Sequence, residues 1–131
     1  MIYSELTQRY FEAAADRAGT LAEPQVLRGE AGSIAQGTWV RFEARAGAGG
    51  RLEEARFLAF GCPHVIAICA WIVEQSIGAP PQSTGESVQA LRERFGVPYE
   101  KLGRLLVVED AWLACVGAPS ETATEIQNGA L

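Results

Sequence analysis

The chain has 131 residues, which is the size of one domain with its own hydrophobic core. Apolar residues make up 48% and charged residues 21%, and this ordinary globular balance excludes a chain that is disordered throughout. The net charge is −5 and Lys101 is the single lysine, so we expect no nucleic-acid-binding surface.

Cysteine usage and hydropathy indicate the compartment. Three cysteines are an odd number, so a secreted domain held together by disulfides is not expected. The first residues lack the basic and apolar regions of a signal peptide. The longest apolar run, residues 65–73, is shorter than the ~20 residues of a membrane span. We therefore expect a cytoplasmic protein with reduced thiols and no membrane partner.

The first predicted element is a helix over residues 4–18. Ser4 suits its N-cap, and Gly19 suits its C-terminal stop. The expected apolar stripe consists of Leu6, Tyr10 and Phe11.

Three strands are predicted next, over residues 25–35, 38–45 and 51–60. The second strand alternates: Val40, Phe42 and Ala44 point to one face, and Arg41, Glu43 and Arg45 point to the other. A glycine-rich turn at 47–50 follows it. Short connections between successive strands predict an antiparallel meander.

Three helices are predicted after Gly61. Residues 65–73 are apolar all round, which indicates a helix buried on most sides and ending at Gly78. Shorter helices are predicted over 85–95 and from Pro98 to about Cys115. Residues 118–131 are small and polar and are expected to form a flexible tail after a single domain at 1–117. The predicted fold is α+β, a three-stranded antiparallel sheet with helices packed on one side.

The segment Phe60-Gly61-Cys62-Pro63-His64 carries the clearest chemistry. Pro63 suits the first position of a helix, because its missing N–H would be unpaired there. Cys62 then lies at the N-cap and His64 in the first turn. The positive end of the helix dipole favours a thiolate, so the pKa of Cys62 is expected to fall. Cys62 is therefore the candidate reactive thiol or metal ligand, with His64 beside it.

The other two cysteines are expected to be structural. Cys69 and Cys115 lie on apolar helix faces, and free cysteine usually packs as a small hydrophobe. The same structural role stays open for Cys62. Seven residues along a helix span about 10 Å. Because metal ligands lie about 2.0–2.3 Å from the ion, Cys62 and Cys69 cannot share one, whereas Cys62 and His64 can.

Residues 50–62, which end in Gly61-Cys62, resemble the third strand and junction of the U-type iron–sulfur cluster assembly scaffolds. These are the IscU family and the NifU N-terminal domain, with a SufE/NifU-like fold. Tyr3-Ser4-Glu5 and Glu109-Asp110-Ala111 are similar to the opening and last-helix motifs of that family. The resemblance covers nearly the whole chain and implies the same order of elements.

The resemblance also implies a ligand set of three cysteines and one aspartate, of which this chain retains one. Cys62 matches the second cysteine. Gln36 and Thr38 stand where the family has the first cysteine and the aspartate, and Arg104 stands where it has the third cysteine. The chain thus resembles a divergent member that lacks two of the three ligand cysteines. A [2Fe–2S] cluster takes four protein donors, so one chain does not supply the usual set.

Three functions follow from this pattern. The first is a divergent assembly scaffold that binds iron or an iron–sulfur cluster through Cys62 and His64, completed by a homodimer or a partner assembly protein. The second is a persulfide carrier that receives sulfur on Cys62 from a cysteine desulfurase, with no bound cofactor.

The third is a non-catalytic interaction or regulatory protein that keeps the scaffold fold. Its contact surface would include Trp39, Leu58 and Ala59, although all three also suit simple core packing. An enzyme with its own turnover is not expected under any of these hypotheses, because no general acid–base pair is evident beyond Cys62 and His64.

Overall fold

The structure, a computed structural model, describes residues 3–82, 84 and 86–117. Short 3₁₀ turns lie at Ala14–Asp16, Ala48–Gly50 and Tyr99–Lys101. The tail expected at 118–131 lies outside the described residues. The helices and strands, in chain order, are α1 (Glu5–Glu12), β1 (Leu27–Ser33), β2 (Thr38–Ala46), β3 (Leu52–Phe60), α2 (Pro63–Ser76), α3 (Val88–Phe95) and α4 (Leu102–Val116).

The three strands form one antiparallel sheet in the order β1-β2-β3, which confirms the predicted meander. Phe42 in the central strand lies opposite Gly29 on one side and Phe57 on the other. The first strand is shorter than predicted and begins at Leu27. Gln25 adopts a φ of 63°, a left-handed conformation that cannot continue a strand.

The core lies between the sheet and two helices. Val40, Phe42 and Ala44 are fully buried, as their alternation predicts. Both α2 and α4 pack against the sheet, and α1 packs against α2. Phe42 meets Trp112 of α4 edge to face, with 5.1 Å between ring centroids. The predicted α+β class is therefore confirmed.

The first helix is shorter than predicted and ends at Glu12. Ser4 caps its start by accepting a hydrogen bond from the Thr7 N–H, as expected. Its end is set by tertiary pairing, because the chain at residues 17–19 runs beside β3. The Gly19 N–H donates to the Phe57 carbonyl at 2.9 Å, and the Phe57 N–H donates to the Arg17 carbonyl at 3.2 Å. Gly19 is thus part of a bridge to the sheet and not the helix stop.

The predicted apolar stripe of α1 is wrong at one position. Leu6 and Tyr10 pack against the core, whereas Phe11 is 41% exposed.

Glu43 also departs from the sequence prediction, because this residue of the predicted polar face is only 2% exposed. Its carboxylate accepts from the Leu21 N–H at 2.7 Å and from Arg28 Nε at 3.1 Å. Arg41 lies 3.7 Å away on the same carboxylate. The chain around Leu21 therefore crosses the outer face of the sheet, and the buried charge is paired on several sides.

The later helices agree with the sequence in type and differ at their ends. The second helix begins at Pro63, as predicted. The third begins at Val88, later than residue 85, because the Ser87 side chain caps it by accepting from the Ala90 N–H at 3.0 Å. A 3₁₀ turn separates Pro98 from α4. Within the described ranges, no helix has the length and apolar character needed to cross a membrane.

Candidate functional site

Cys62 occupies the junction that the sequence predicts. The last strand ends at Phe60, and the largely buried helix α2 begins at Pro63, so two residues connect the strand to the helix. Cys62 is the N-cap of α2 with extended backbone angles, φ −81° and ψ 169°. The residue is half-buried, whereas the other two cysteines are buried.

Several groups around Cys62 favour a negative charge on its sulfur. The Cys62 side chain makes no capping hydrogen bond, but the nearby N–H groups of Val65 and His64 favour its charged form. Burial raises the pKa of Cys62. The Val65 N–H, the Arg104 guanidinium, the His64 N–H and the Lys101 charge outweigh that effect, so its pKa lies below the ordinary value.

The two cations come from one end of α4. Lys101 closes the 3₁₀ turn before this helix, and Arg104 lies in its first turn. A separation of three residues places both side chains on the same side of a helix. The start of α4 therefore brings two positive charges to the start of α2.

His64 is beside Cys62 in sequence but faces inward. It is 2% exposed, and its ring packs edge-on against Tyr3 with 4.7 Å between ring centroids. Its Nδ1 lies 3.3 Å from Lys101 Nζ. Burial and the charges of Lys101 and Arg104 lower the pKa of His64 to about 4, so its imidazole is neutral near pH 7.

The three positions that match the absent family ligands come together in space. Gln36, Thr38 and Arg104 line one surface hollow, with Glu100, Gly103 and Val107 completing its wall. Thr38 is buried at the start of β2, and Gln36 is exposed in the preceding turn. The three positions for which the resemblance implies two cysteines and an aspartate therefore carry an amide, a hydroxyl and a guanidinium in this chain.

The remaining cysteines are structural, as their apolar surroundings predict. Cys69 is completely buried in α2, and burial raises its pKa far above the ordinary range. Burial and the Glu43 charge raise the pKa of Cys115 to about 12. Neither thiol is available as a nucleophile in the folded protein.

The donors near Cys62 do not fit a complete iron–sulfur cluster. Cys62 and His64 are two donors, and no group of three histidine, cysteine, aspartate or glutamate side chains suited to a metal occurs in the part of the chain that the structure describes. A cluster needs four donors, and the guanidinium of Arg104 has no lone pair to offer. Binding of iron by Cys62 and His64 stays a prediction that requires donors from outside these residues.

The residues considered for a contact surface are only partly accessible. Trp39, Leu58 and Ala59 are all half-buried. Trp39 donates from its indole N–H to Glu30 at 3.1 Å. Phe60, which lies opposite Trp39 in the sheet, is the more exposed apolar side chain at 49%. Its two-residue distance from Cys62 places an accessible aromatic ring at the edge of the site.

Sequence reasoning missed the contacts of Tyr3 and Lys101 with His64. The three-residue spacing of Lys101 and Arg104 could have predicted two cations on the same side of a helix start. Their approach to His64, 37 residues earlier, depends on how α4 crosses α2 and is not readable from a local pattern.

Comparisons with known proteins identify relatives of this fold. The family model described as the NifU-like N-terminal domain matches residues 2–118. A solved structure of a proposed iron–sulfur cluster assembly scaffold protein for the SUF system from Fervidobacterium islandicum AW-1 is similar, with a TM-score of 0.63, 14% identity, and coverage of 87% of this chain and 96% of that chain. At this identity the likeness shows the fold alone.

A nitrogen-fixing NifU-like protein (N-terminal) from Brucella abortus has a TM-score of 0.48 and 18% identity, with coverage of 92% of this chain and 93% of that chain. No curated protein matches the sequence significantly.

Proposed function

Because the chain belongs to the NifU-like N-terminal domain family, we propose that it takes part in iron–sulfur cluster assembly as a carrier of sulfur on Cys62. This is a stoichiometric role without turnover of its own. The observation that carries the proposal is the setting of Cys62, a half-buried cysteine at the N-cap of α2. Its thiolate is favoured by the charges of Arg104 and Lys101 at the start of α4.

Sulfur carriage suits this site because it needs one thiolate and no further donor. The two cations oppose binding of a metal cation, yet they stabilise an anionic sulfur species in the same place. Arg104 stands where the resemblance implies a ligand thiol. Its guanidinium has no lone pair to offer a cluster, but it favours a thiolate or persulfide on Cys62.

The transfer step is a thiol–disulfide type exchange. The Cys62 thiolate attacks the terminal sulfur of a persulfide on a donor cysteine, such as that of a cysteine desulfurase. The donor's S–S bond breaks, and its electron pair leaves with the donor cysteine as a thiolate. The new S–S bond is on Cys62, and the proton stays on the transferred sulfur. No external oxidant or reductant is consumed.

The test is intact-protein mass spectrometry after incubation with a cysteine desulfurase and L-cysteine. Wild type should gain the mass of one sulfur atom, and Cys62→Ser should gain none. Cys115→Ala is the matched control, because it removes a buried thiol and keeps Cys62. A parallel reaction with a small-molecule persulfide separates docking from chemistry. Wild type that gains no sulfur from either donor would overturn the proposal.

A cluster or iron scaffold is the second candidate, favoured by the junction cysteine with a histidine two residues later. A homodimer or a partner assembly protein would have to supply the remaining donors. Anaerobic reconstitution with ferrous iron and sulfide tests it. Visible absorbance with stoichiometric iron, lost in Cys62→Ser, would favour the scaffold over the carrier.

A further inference from the structure

His64 has a contact pattern that neither metal binding nor simple packing requires. Its ring is held edge-on by Tyr3 and is almost completely buried. Its Nδ1 atom points to Lys101 Nζ at 3.3 Å. An ammonium group only donates hydrogen bonds, so in this contact Nδ1 accepts and the ring proton lies on Nε2.

Lys101 is fixed in place by more than this one contact. Its ammonium also lies 5.8 Å from the centroid of the Tyr3 ring, within the range of a cation–π interaction. A lysine side chain has four rotatable carbon–carbon bonds and loses much freedom when it is fixed. The contacts with the His64 and Tyr3 rings hold the ammonium group at the start of α2. From there its charge lowers the pKa of Cys62.

We propose that His64 is a positioning residue, whose imidazole accepts a hydrogen bond from Lys101 and thereby holds that ammonium group at the junction that carries Cys62. The inference deepens the proposed function and rests on it for its biological meaning, but its test requires only the free thiol. If Cys62 does not accept sulfur, the role of His64 in positioning Lys101 is not contradicted. If His64 does not position Lys101, Cys62 and Arg104 still form a candidate carrier site.

The wild-type protein allows a direct spectroscopic test, because His64 is its single histidine. Nitrogen-15 NMR of the ring should show the Nε2–H tautomer, with an unprotonated Nδ1 shifted by its hydrogen bond, in the neutral form near pH 7. An Nδ1–H tautomer, or a ring that is charged near pH 7, would overturn the proposal. This measurement needs no variant that could fail to fold.

A variant series tests the consequence for Cys62. His64→Leu removes the acceptor, and His64→Asn keeps an acceptor near the position of Nδ1. At a pH where the thiolate is the minority form, its ultraviolet absorbance should fall about twofold in His64→Leu and stay near wild type in His64→Asn.

The decisive comparison is made in a Lys101→Gln background. Once the ammonium is gone, His64→Leu should have no further effect on the thiolate absorbance, because His64 acts through Lys101. An equal loss in both backgrounds would show that His64 acts on Cys62 independently and would overturn the proposal. No loss in His64→Leu alone would overturn it as well.

Discussion

Removal of the Arg104 charge is expected to reduce the thiolate population of Cys62. The Arg104 guanidinium favours the charged form of the sulfur and lowers the pKa of Cys62. At about 4 Å, two unit charges interact by about 1 kcal/mol in a water-like dielectric and by about 4 kcal/mol at an effective dielectric constant of 20. Because Arg104 is exposed, solvent screens its charge, and the interaction energy of about 1 kcal/mol applies. Arg104→Gln should therefore reduce the thiolate fraction about fivefold.

The assay is ultraviolet absorbance of the thiolate as a function of pH, followed by the rate of alkylation with iodoacetamide. The alkylation rate at a fixed pH below the pKa should fall by only about 2.5-fold, because a more basic thiolate is also more nucleophilic. Cys69 and Cys115 do not interfere, since burial raises the pKa of both.

Arg51→Gln is the matched control. It removes the same charge from an exposed arginine at the start of β3, whereas Cys62 follows the other end of that strand. A nine-residue strand spans about 30 Å, which is about three Debye lengths at 0.1 M salt. If Arg51→Gln and Arg104→Gln change the thiolate fraction equally, the assigned contact between Arg104 and the sulfur is wrong.

Packing and burial set three further expectations. Gly29→Ala should lower the free energy of unfolding in urea by about 3 kcal/mol or more, because its Cβ would lie 2.1 Å from the Cys115 backbone nitrogen. The control Gly103→Ala, whose Cβ would meet nothing within 4 Å, should raise that free energy by up to about 1 kcal/mol. Equal changes in the two variants would contradict the close approach of Gly29 to α4. Because the pKa of His64 falls from 6.5 to about 4 on folding, the unfolded chain binds a proton more readily than the folded protein between these values. The free energy of unfolding should therefore decrease by about 2 kcal/mol on acidification from about pH 7 to about pH 5. A His64→Asn variant whose stability shows the same pH dependence would refute this. Cys69 and Cys115 should react with iodoacetamide only after unfolding, so mass spectrometry should find one alkyl group on the native protein and three in denaturant, and extra groups on the native protein would rule out their burial.

Most of the architecture follows from local sequence signals. Ser4 and Pro63 mark helix starts by backbone chemistry that is the same in any protein, and the structure places both where the sequence predicts. The alternation of Val40, Phe42 and Ala44 fixes which face of the sheet is buried. These features depend on neighbours within a few residues, which is why they could be predicted.

The errors arise where distant parts of the chain meet. Three alanines after Glu12 favour a longer first helix, but the pairing of Gly19 with Phe57 ends it early. Glu43 alternates as a surface residue, yet the chain at Leu21 crosses over it. In both cases a tertiary contact overrides a local preference.

The candidate site was predictable in its centre and not in its surroundings. Cys62 could be assigned from Pro63 and the helix that follows. The inward orientation of His64 and its contact with Lys101 could not, because they depend on the approach of α4 to the start of α2. The sequence therefore predicted Cys62 as the reactive residue, and only the structure showed that the charges of Arg104 and Lys101 act on it.

The most direct measurement of the central proposal counts sulfur and iron on the same sample. The full chain would be incubated anaerobically with a cysteine desulfurase, L-cysteine and ferrous iron, separated from the reagents, and assayed for sulfane sulfur and iron per chain, with Cys62→Ser alongside. We expect about one sulfane sulfur per wild-type chain, no stoichiometric iron, and neither in the variant. Stoichiometric iron with acid-labile sulfide on the wild type would contradict sulfur carriage and identify a cluster scaffold instead.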